Sequence, residues 1–135
     1  ATDALSGIPE RGAMHVTKSP SCGCCGAWVA LARAEGYDVT VTDTPVVVGA
    51  KLENKVPGDM WACHMAVIDG YVVEGHVPFD ALARLLLDRP EISGIAVPGM
   101  PYGSPGMGTD PDAQYDVFAF GGSAGQGQLY HQVGQ

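Results

Sequence analysis

Three of the four cysteines in this 135-residue chain lie within four positions, in the run Cys22-Gly23-Cys24-Cys25. The fourth, Cys63, lies far along the chain and is followed by His64. Three thiols this close together are too dense for ordinary core packing. A fold that uses all four thiols as one set must bring two distant stretches of the chain to a common edge. This requirement constrains the architecture more than any other feature of the sequence.

Further sulfur and nitrogen donors occur in the second half of the chain. His76, Met100 and Met107 all lie next to glycine. Thiolate, thioether and imidazole together form a soft donor set, which suits Cu(I) better than harder cations. The adjacent Cys24 and Cys25 are well placed to bridge neighbouring ions. The donors therefore predict a copper-handling protein, with Cu(I) favoured.

Charge and hydropathy narrow the function classes. Seven basic and fifteen acidic side chains give a net charge of −8, which argues against nucleic acid or an anionic membrane surface as partner. No apolar run reaches the ~20 residues of a membrane-spanning helix, so membrane insertion is not expected. A start at Ala-Thr-Asp fits a mature, exported form from which a signal peptide has been removed.

The first half of the chain alternates between strand and helix patterns. A strand is predicted over residues 13–17 and a helix over 27–35, with the cysteine cluster between them. A β-branched strand follows at 39–42. A short, weak helix is expected from 45 to about 55, since Thr44-Pro45 suits a helix start but the next three residues are valines.

The second half is predicted from turn signals. Asp69-Gly70 is a strong hairpin signal between strands at 65–68 and 71–74. A helix with one apolar stripe starts near Pro78 and ends at Arg89. Beyond it, a Gly/Pro-rich loop carries the two methionines, and a last hairpin is expected from strands at 115–120 and 129–133.

The resulting element order is that of the thioredoxin fold. We predict an α/β protein whose thioredoxin-like core is a mixed sheet of about four strands with flanking helices. A C-terminal Met-containing loop and β-hairpin over residues 92–135 extend this core. Residues 1–12 are expected to form a flexible arm, and residues 13–135 a single domain. In this topology the first and third strands are antiparallel, so Cys63 should face the cysteine cluster and the fourth strand should bring His76 to the same edge.

Three other uses of the cysteines compete with a copper cluster. A mononuclear zinc site usually takes two spaced pairs of ligands rather than one dense cluster and a single thiol. A dithiol oxidoreductase would use Cys22 and Cys25 at a helix N-terminus, where thiol pKa values fall. Structural disulfides are the third alternative, and four cysteines allow three connectivities.

The remaining donors differ in how well their positions suit ligation. His64 follows Cys63 directly, and a strand-like backbone would point the two side chains to opposite faces, so whether His64 is a ligand stays open. Methionine usually fills gaps in a core. A loop without periodicity packs little core, however, which favours Met100 or Met107 as a ligand.

The motifs of the chain closely resemble those of the CopG-like copper-resistance family of Gram-negative bacteria. The resemblance rests on the segment from Cys22 to Trp28, the segment from Cys63 to Pro78, and the Val-Pro-Gly-Met-Pro and Gly-Ser-Pro-Gly-Met sequences near residues 97–107. It covers roughly residues 13 to 135. It implies a periplasmic protein with a thioredoxin-like core and a thiolate-bridged cluster of several copper ions.

The resemblance also implies a ligand set and a role. The residues that match the family motif are Cys22, Cys24, Cys25, Cys63, His76, Met100 and Met107. The implied role is copper resistance through sequestration of Cu(I), with Cu(I)/Cu(II) cycling in support of efflux and with periplasmic efflux or chaperone proteins as partners. We expect a metal-binding protein rather than an enzyme. The alternative function is a thioredoxin-like thiol-disulfide oxidoreductase that uses Cys22 and Cys25.

Overall fold

The computed structural model of the chain describes residues 12–134. Within them, one mixed sheet of seven strands is accompanied by three α-helices. The arm expected at residues 1–12 lies outside the described residues except for its last residue, and so does residue 135. None of the described helices combines the length and the apolar character needed to cross a membrane.

The elements follow the predicted alternation through the first two thirds of the chain. In chain order they are β1 (Ala13–Lys18), α1 (Gly23–Ala34), β2 (Asp38–Asp43), α2 (Val48–Glu53), β3 (Met65–Ile68), β4 (Tyr71–Glu74), α3 (Phe79–Asp88), β5 (Gly94–Ala96), β6 (Tyr115–Phe120) and β7 (Gln128–Val133). Short 3-10 turns occur at Gly58–Met60 and Gly122–Ala124. The strand order across the sheet is β2-β1-β3-β4-β5-β6-β7.

The predicted strand count was too low because β5 was missed. This strand has only three residues, and all of them are buried, so it shows no alternation of polar and apolar positions. It pairs in parallel with β4 and antiparallel with β6. The C-terminal hairpin is therefore not an appendage to a four-stranded core, because β5 joins it to the same continuous sheet.

Helix α1 begins four residues earlier than predicted. The N-cap is Cys22, whose sulfur accepts a hydrogen bond from the backbone N–H of Cys25 at 3.3 Å. Helix starts are normally recognised by a Ser, Thr, Asp or Asn oxygen in this role, and a cysteine sulfur gives no such signal. As a result, Cys24 and Cys25 lie in the first turn of the helix rather than in the preceding loop.

The sheet register brings separate segments to one edge. Thr17 of β1 pairs with Met65 of β3, and Met65 pairs with Glu74 of β4. Glu74 in turn pairs with Ala96 at the end of β5. The residues that follow β1, precede β3, follow β4 and follow β5 therefore share the same edge of the sheet.

The core lies on both faces of the sheet. The larger cluster joins α1 and α3 to one face through side chains such as Trp28, Leu82 and Leu85, none of which is exposed to solvent. The smaller cluster includes Met65, Val72 and Phe120. Strand neighbours of these residues belong to the larger cluster, so the smaller one covers the opposite face.

Candidate metal centre

All four cysteine sulfurs meet at the sheet edge described above. The Sγ atoms of Cys22, Cys24, Cys25 and Cys63 lie within 4.8 Å of one another. Cys22 and Cys25 form a disulfide, while Cys24 and Cys63 are free thiols. The Sγ of Cys24 lies 3.4 Å from that of Cys22. The expected convergence of the distant Cys63 with the cluster is therefore present in the fold.

His76 lies beside Cys63 in a defined orientation. Its Nε2 is 2.9 Å from the Sγ of Cys63, and its Nδ1 is 2.6 Å from the backbone carbonyl oxygen of Pro105. A carbonyl oxygen can only accept, so Nδ1 carries the proton. In the neutral ring, Nε2 then presents its lone pair to Cys63, which is the arrangement of a metal-binding histidine held by an outer carbonyl.

His64 also faces the site, contrary to the expectation from strand alternation. Its Nδ1 is 3.5 Å from the Sγ of Cys63, and its Nε2 is buried without a hydrogen-bond partner among the described residues. The ring packs 5.0 Å from that of Trp28 and 4.9 Å from that of His76. The strand that was expected to separate the two side chains begins only at Met65. The side chains of Cys63 and His64, which precede it, therefore do not have to point to opposite faces. Cys63, His64 and His76 form a second group with metal-ligand spacing.

The surroundings of these groups disfavour charge. Burial and, after it, the proximity of Cys24 raise the pKa of the Cys63 thiol to about 12, while Lys51 opposes this. Burial, followed by the proximity of His76, lowers the pKa of His64 to about 3, and burial also lowers the pKa of His76. Both imidazoles are therefore neutral at pH 7, the form in which histidine binds metals. A bound cation would reverse the preference of the thiol by stabilising the thiolate.

The loop that follows β5 closes over this edge. Gly106 lies so near α1 that a Cβ there would be 2.8 Å from the carbonyl oxygen of Cys24 and 3.1 Å from Nδ1 of His76. The loop is held together internally, since Met107 N–H donates to the Ser104 carbonyl at 2.8 Å. Only a residue without a side chain fits at position 106, where φ is +88°.

The two candidate methionines differ in exposure. Met100 is 55% exposed, whereas Met107 is partly buried and directly follows Gly106. Met107 is thus the neighbour of the glycine that lies against α1, and Met100 is the more exposed of the two methionines. Ligation by either thioether stays a prediction.

Sequence reasoning missed two contacts of the site. The carbonyl of Pro105 orients His76, and Gly106 seats the loop on α1. The Pro-Gly dipeptide signals a turn. Its contact with a helix some eighty residues earlier in the chain leaves no local signal.

The chain is similar to one family model and to two solved structures. Residues 60–107 match the family model "Protein of unknown function, DUF411". Two solved structures, forms 1 and 2 of a copper resistance protein CopG, are each 37% identical to the chain over 90% of its length. The matches cover 96% and 97% of those chains, with TM-scores of 0.81 and 0.82. No curated protein matches the chain.

Proposed function

Because this chain belongs to the CopG copper-resistance family, as its motifs predict, we propose that it protects against copper by binding Cu(I) in a cysteine-bridged multinuclear cluster. The observation that supports this proposal most directly is that the four cysteine sulfurs lie within 4.8 Å of one another. The ligands in this proposal are Cys22, Cys24, Cys25 and Cys63, with His76 and one or both of Met100 and Met107 completing the shell.

The donor chemistry supports copper over other cations. Thiolates and thioethers are soft ligands that select Cu(I), whereas carboxylates suit harder ions. Among the described residues, the groups with ligand spacing near the four thiols consist of cysteine and histidine side chains. Sulfurs this close together can each contact more than one ion, which favours a cluster over a single tetrahedral ion.

The neutral histidines support loading near neutral pH. His76 already presents Nε2 toward Cys63, so it needs neither to lose a proton nor to turn before it binds an ion. Each thiol must lose its proton, so copper uptake releases protons. The loop around Gly106 then acts as a lid that limits solvent at the cluster.

Full loading requires reduction of the disulfide. Two electrons and two protons convert the Cys22–Cys25 disulfide into two thiols, and a dithiol reductant supplies both while it is oxidised to its own disulfide. We further propose that bound Cu(I) gives one electron to an external one-electron oxidant to become Cu(II), and regains one from an external one-electron reductant, in support of efflux. We also propose that the protein acts in the periplasm, with efflux or copper-chaperone proteins as its partners. In this proposal the site is carried by a thioredoxin-like core.

Anaerobic titration of the fully reduced protein with Cu(I) tests the proposal. We expect more than one Cu(I) per chain, and we expect Cys63→Ser to reduce that number. Met65→Leu, two residues further on in β3, serves as the control for disturbance of the local packing. Uptake of one ion or none by the wild-type protein would exclude a multinuclear cluster.

The alternative function, thiol-disulfide exchange, is favoured by one observation. Cys22 and Cys25 form a disulfide at the N-terminus of α1, where the helix dipole stabilises a thiolate. An oxidoreductase would reduce insulin disulfides with Cys63→Ser as active as the wild type. A copper-binding protein would instead lose copper binding in Cys63→Ser, and neither the wild type nor this variant would reduce insulin. The two functions therefore predict different results for the same pair of proteins.

A further inference from the structure

Helix α2 buries a lysine and leaves apolar side chains exposed, which is the reverse of the usual pattern in a surface helix. Its only buried residue is Lys51, which is 3% exposed, whereas Leu52 is 63% exposed and Val48 is 44% exposed. Lysine is almost never fully buried unless it is paired, because removing an ammonium group from water is costly. The buried ammonium group of Lys51 must therefore have partners that compensate for the loss of water.

The partners of Lys51 lie on both sides of Cys63. Its Nζ forms an ion pair with the fully buried carboxylate of Glu74 and contacts the backbone carbonyl of His64 at 3.5 Å. The same Glu74 oxygen accepts the backbone N–H of Ala62 at 2.7 Å. The ion pair thus contacts the residue before Cys63 and the residue after it.

The segment held in this way has no regular structure of its own. Residues 61–64 lie outside any helix or strand. The His64 carbonyl also accepts the N–H of Gly75 at 2.9 Å. A Cβ at Gly75 would lie 2.5 Å from the Cβ of Ala62, so the segment sits directly on the end of β4. Its position relative to the other thiols therefore depends on these few contacts.

We propose that Lys51 and Glu74 are positioning residues that fix the Cys63 sulfur against the other three thiols. The inference rests on the proposed copper function. A buried ion pair is weak evidence for a role in stability, since apolar replacements of similar volume are often neutral or stabilising. Outer partners that hold a metal ligand, by contrast, commonly affect metal affinity strongly. The pair therefore contributes to the geometry of the site rather than to the stability of the fold.

Copper affinity is the first test. We compare the wild type with Lys51→Met and with the double variant Lys51→Met/Glu74→Leu, which leaves neither charge buried alone. Lys55→Met removes the same charge from an exposed position just after α2 and is the matched control. In competition with a Cu(I) chelator, we expect both site variants to bind roughly 10- to 100-fold more weakly. The control should bind as the wild type does. If Lys51→Met alone fails to fold, the double variant decides.

Amide exchange in the reduced, metal-free protein is the second test and needs no copper. The Ala62 N–H should exchange roughly tenfold faster in the double variant, since it loses its acceptor. Unchanged exchange at Ala62, or unchanged copper affinity in a folded double variant, would overturn the positioning role. Failure of the wild type to bind several Cu(I) ions, with faster Ala62 exchange in the double variant, would instead reject the proposed function and leave the backbone contact established.

Discussion

At the scale of single residues, Cys63 is the residue that the two groups of candidate ligands share. Its sulfur lies 2.9 Å from Nε2 of His76 and 3.5 Å from Nδ1 of His64, and it belongs to both groups of candidate ligands. Both imidazoles are buried, and one of their nitrogens has no partner among the described residues. We expect these buried neutral rings to make the metal-free protein sensitive to acid.

Stability of the metal-free protein should therefore fall as the pH drops below about 6.5. In the unfolded chain, His64 binds a proton near its ordinary pKa of 6.5, whereas burial lowers its pKa in the fold to about 3. Between these values the unfolded state binds more protons, so the contribution to stability is fully present above pH 6.5 and is lost toward pH 3. The slope for one proton is roughly 1.4 kcal/mol per pH unit.

Denaturant unfolding of the metal-free protein between pH 4 and pH 8 checks this expectation. His64→Gln should make the dependence on pH shallower. His131→Gln, on the edge strand β7, changes a histidine four strands away from β3 and serves as the control variant. An equal slope in all three proteins would contradict the assignment of acid sensitivity to His64.

At the scale of elements, the site is covered where the loop after β5 contacts α1. The carbonyl of Pro105 fixes the ring of His76, and Gly106 touches the backbone of α1 at Cys24 and Trp28. The loop has little regular structure, so its closeness to the thiols depends on a few contacts of this kind.

Gly106→Ala should therefore push the loop away from α1 and weaken copper binding. Gly99→Ala is a matched control in the same loop, because Gly99 has φ of +73° but open space where a Cβ would stand. Both variants carry the backbone strain of alanine at positive φ, about 1 kcal/mol. Only Gly106→Ala adds a close contact, so only it should lower Cu(I) affinity in a chelator competition. Equal affinity of the two variants would show that the loop does not seal the site.

Some of these elements could be predicted from the sequence alone, and others could not. The hairpin at β3 and β4 was predicted to the residue, because Asp69-Gly70 and the flanking apolar residues are local signals. The meeting of Cys63 with the cluster followed from strand order alone. The start of α1 was wrong, since a cysteine cap has no recognised pattern, and β5 was missed because three buried residues show no period. Lys51 could not be identified, because its partner Glu74 lies in another element.

At the scale of the whole molecule, the C-terminal part is built into the sheet that carries the thiols. Strand β5 lies between β4 and β6, so the sheet continues without a break from β2 to β7. The side chains of Ile95, Val117 and Phe120 are all fully buried. The thioredoxin-like segment that the sequence predicts therefore shares its core with the C-terminal strands.

A chain that ends after Arg89 should therefore fail to fold cooperatively. Burying Ile95, Val117 and Phe120 contributes roughly 1.5–3 kcal/mol each, which together approaches the whole stability of a typical domain. The cut also leaves β4 as an unpaired, apolar edge, which favours aggregation. A chain that ends after Gly127 is the control, since it loses only the edge strand β7, most of which is exposed or half-buried. Thermal unfolding followed by circular dichroism should show a cooperative transition for the control and none for the shorter chain. A cooperative transition in the shorter chain would show that the first four strands fold without the rest of the sheet.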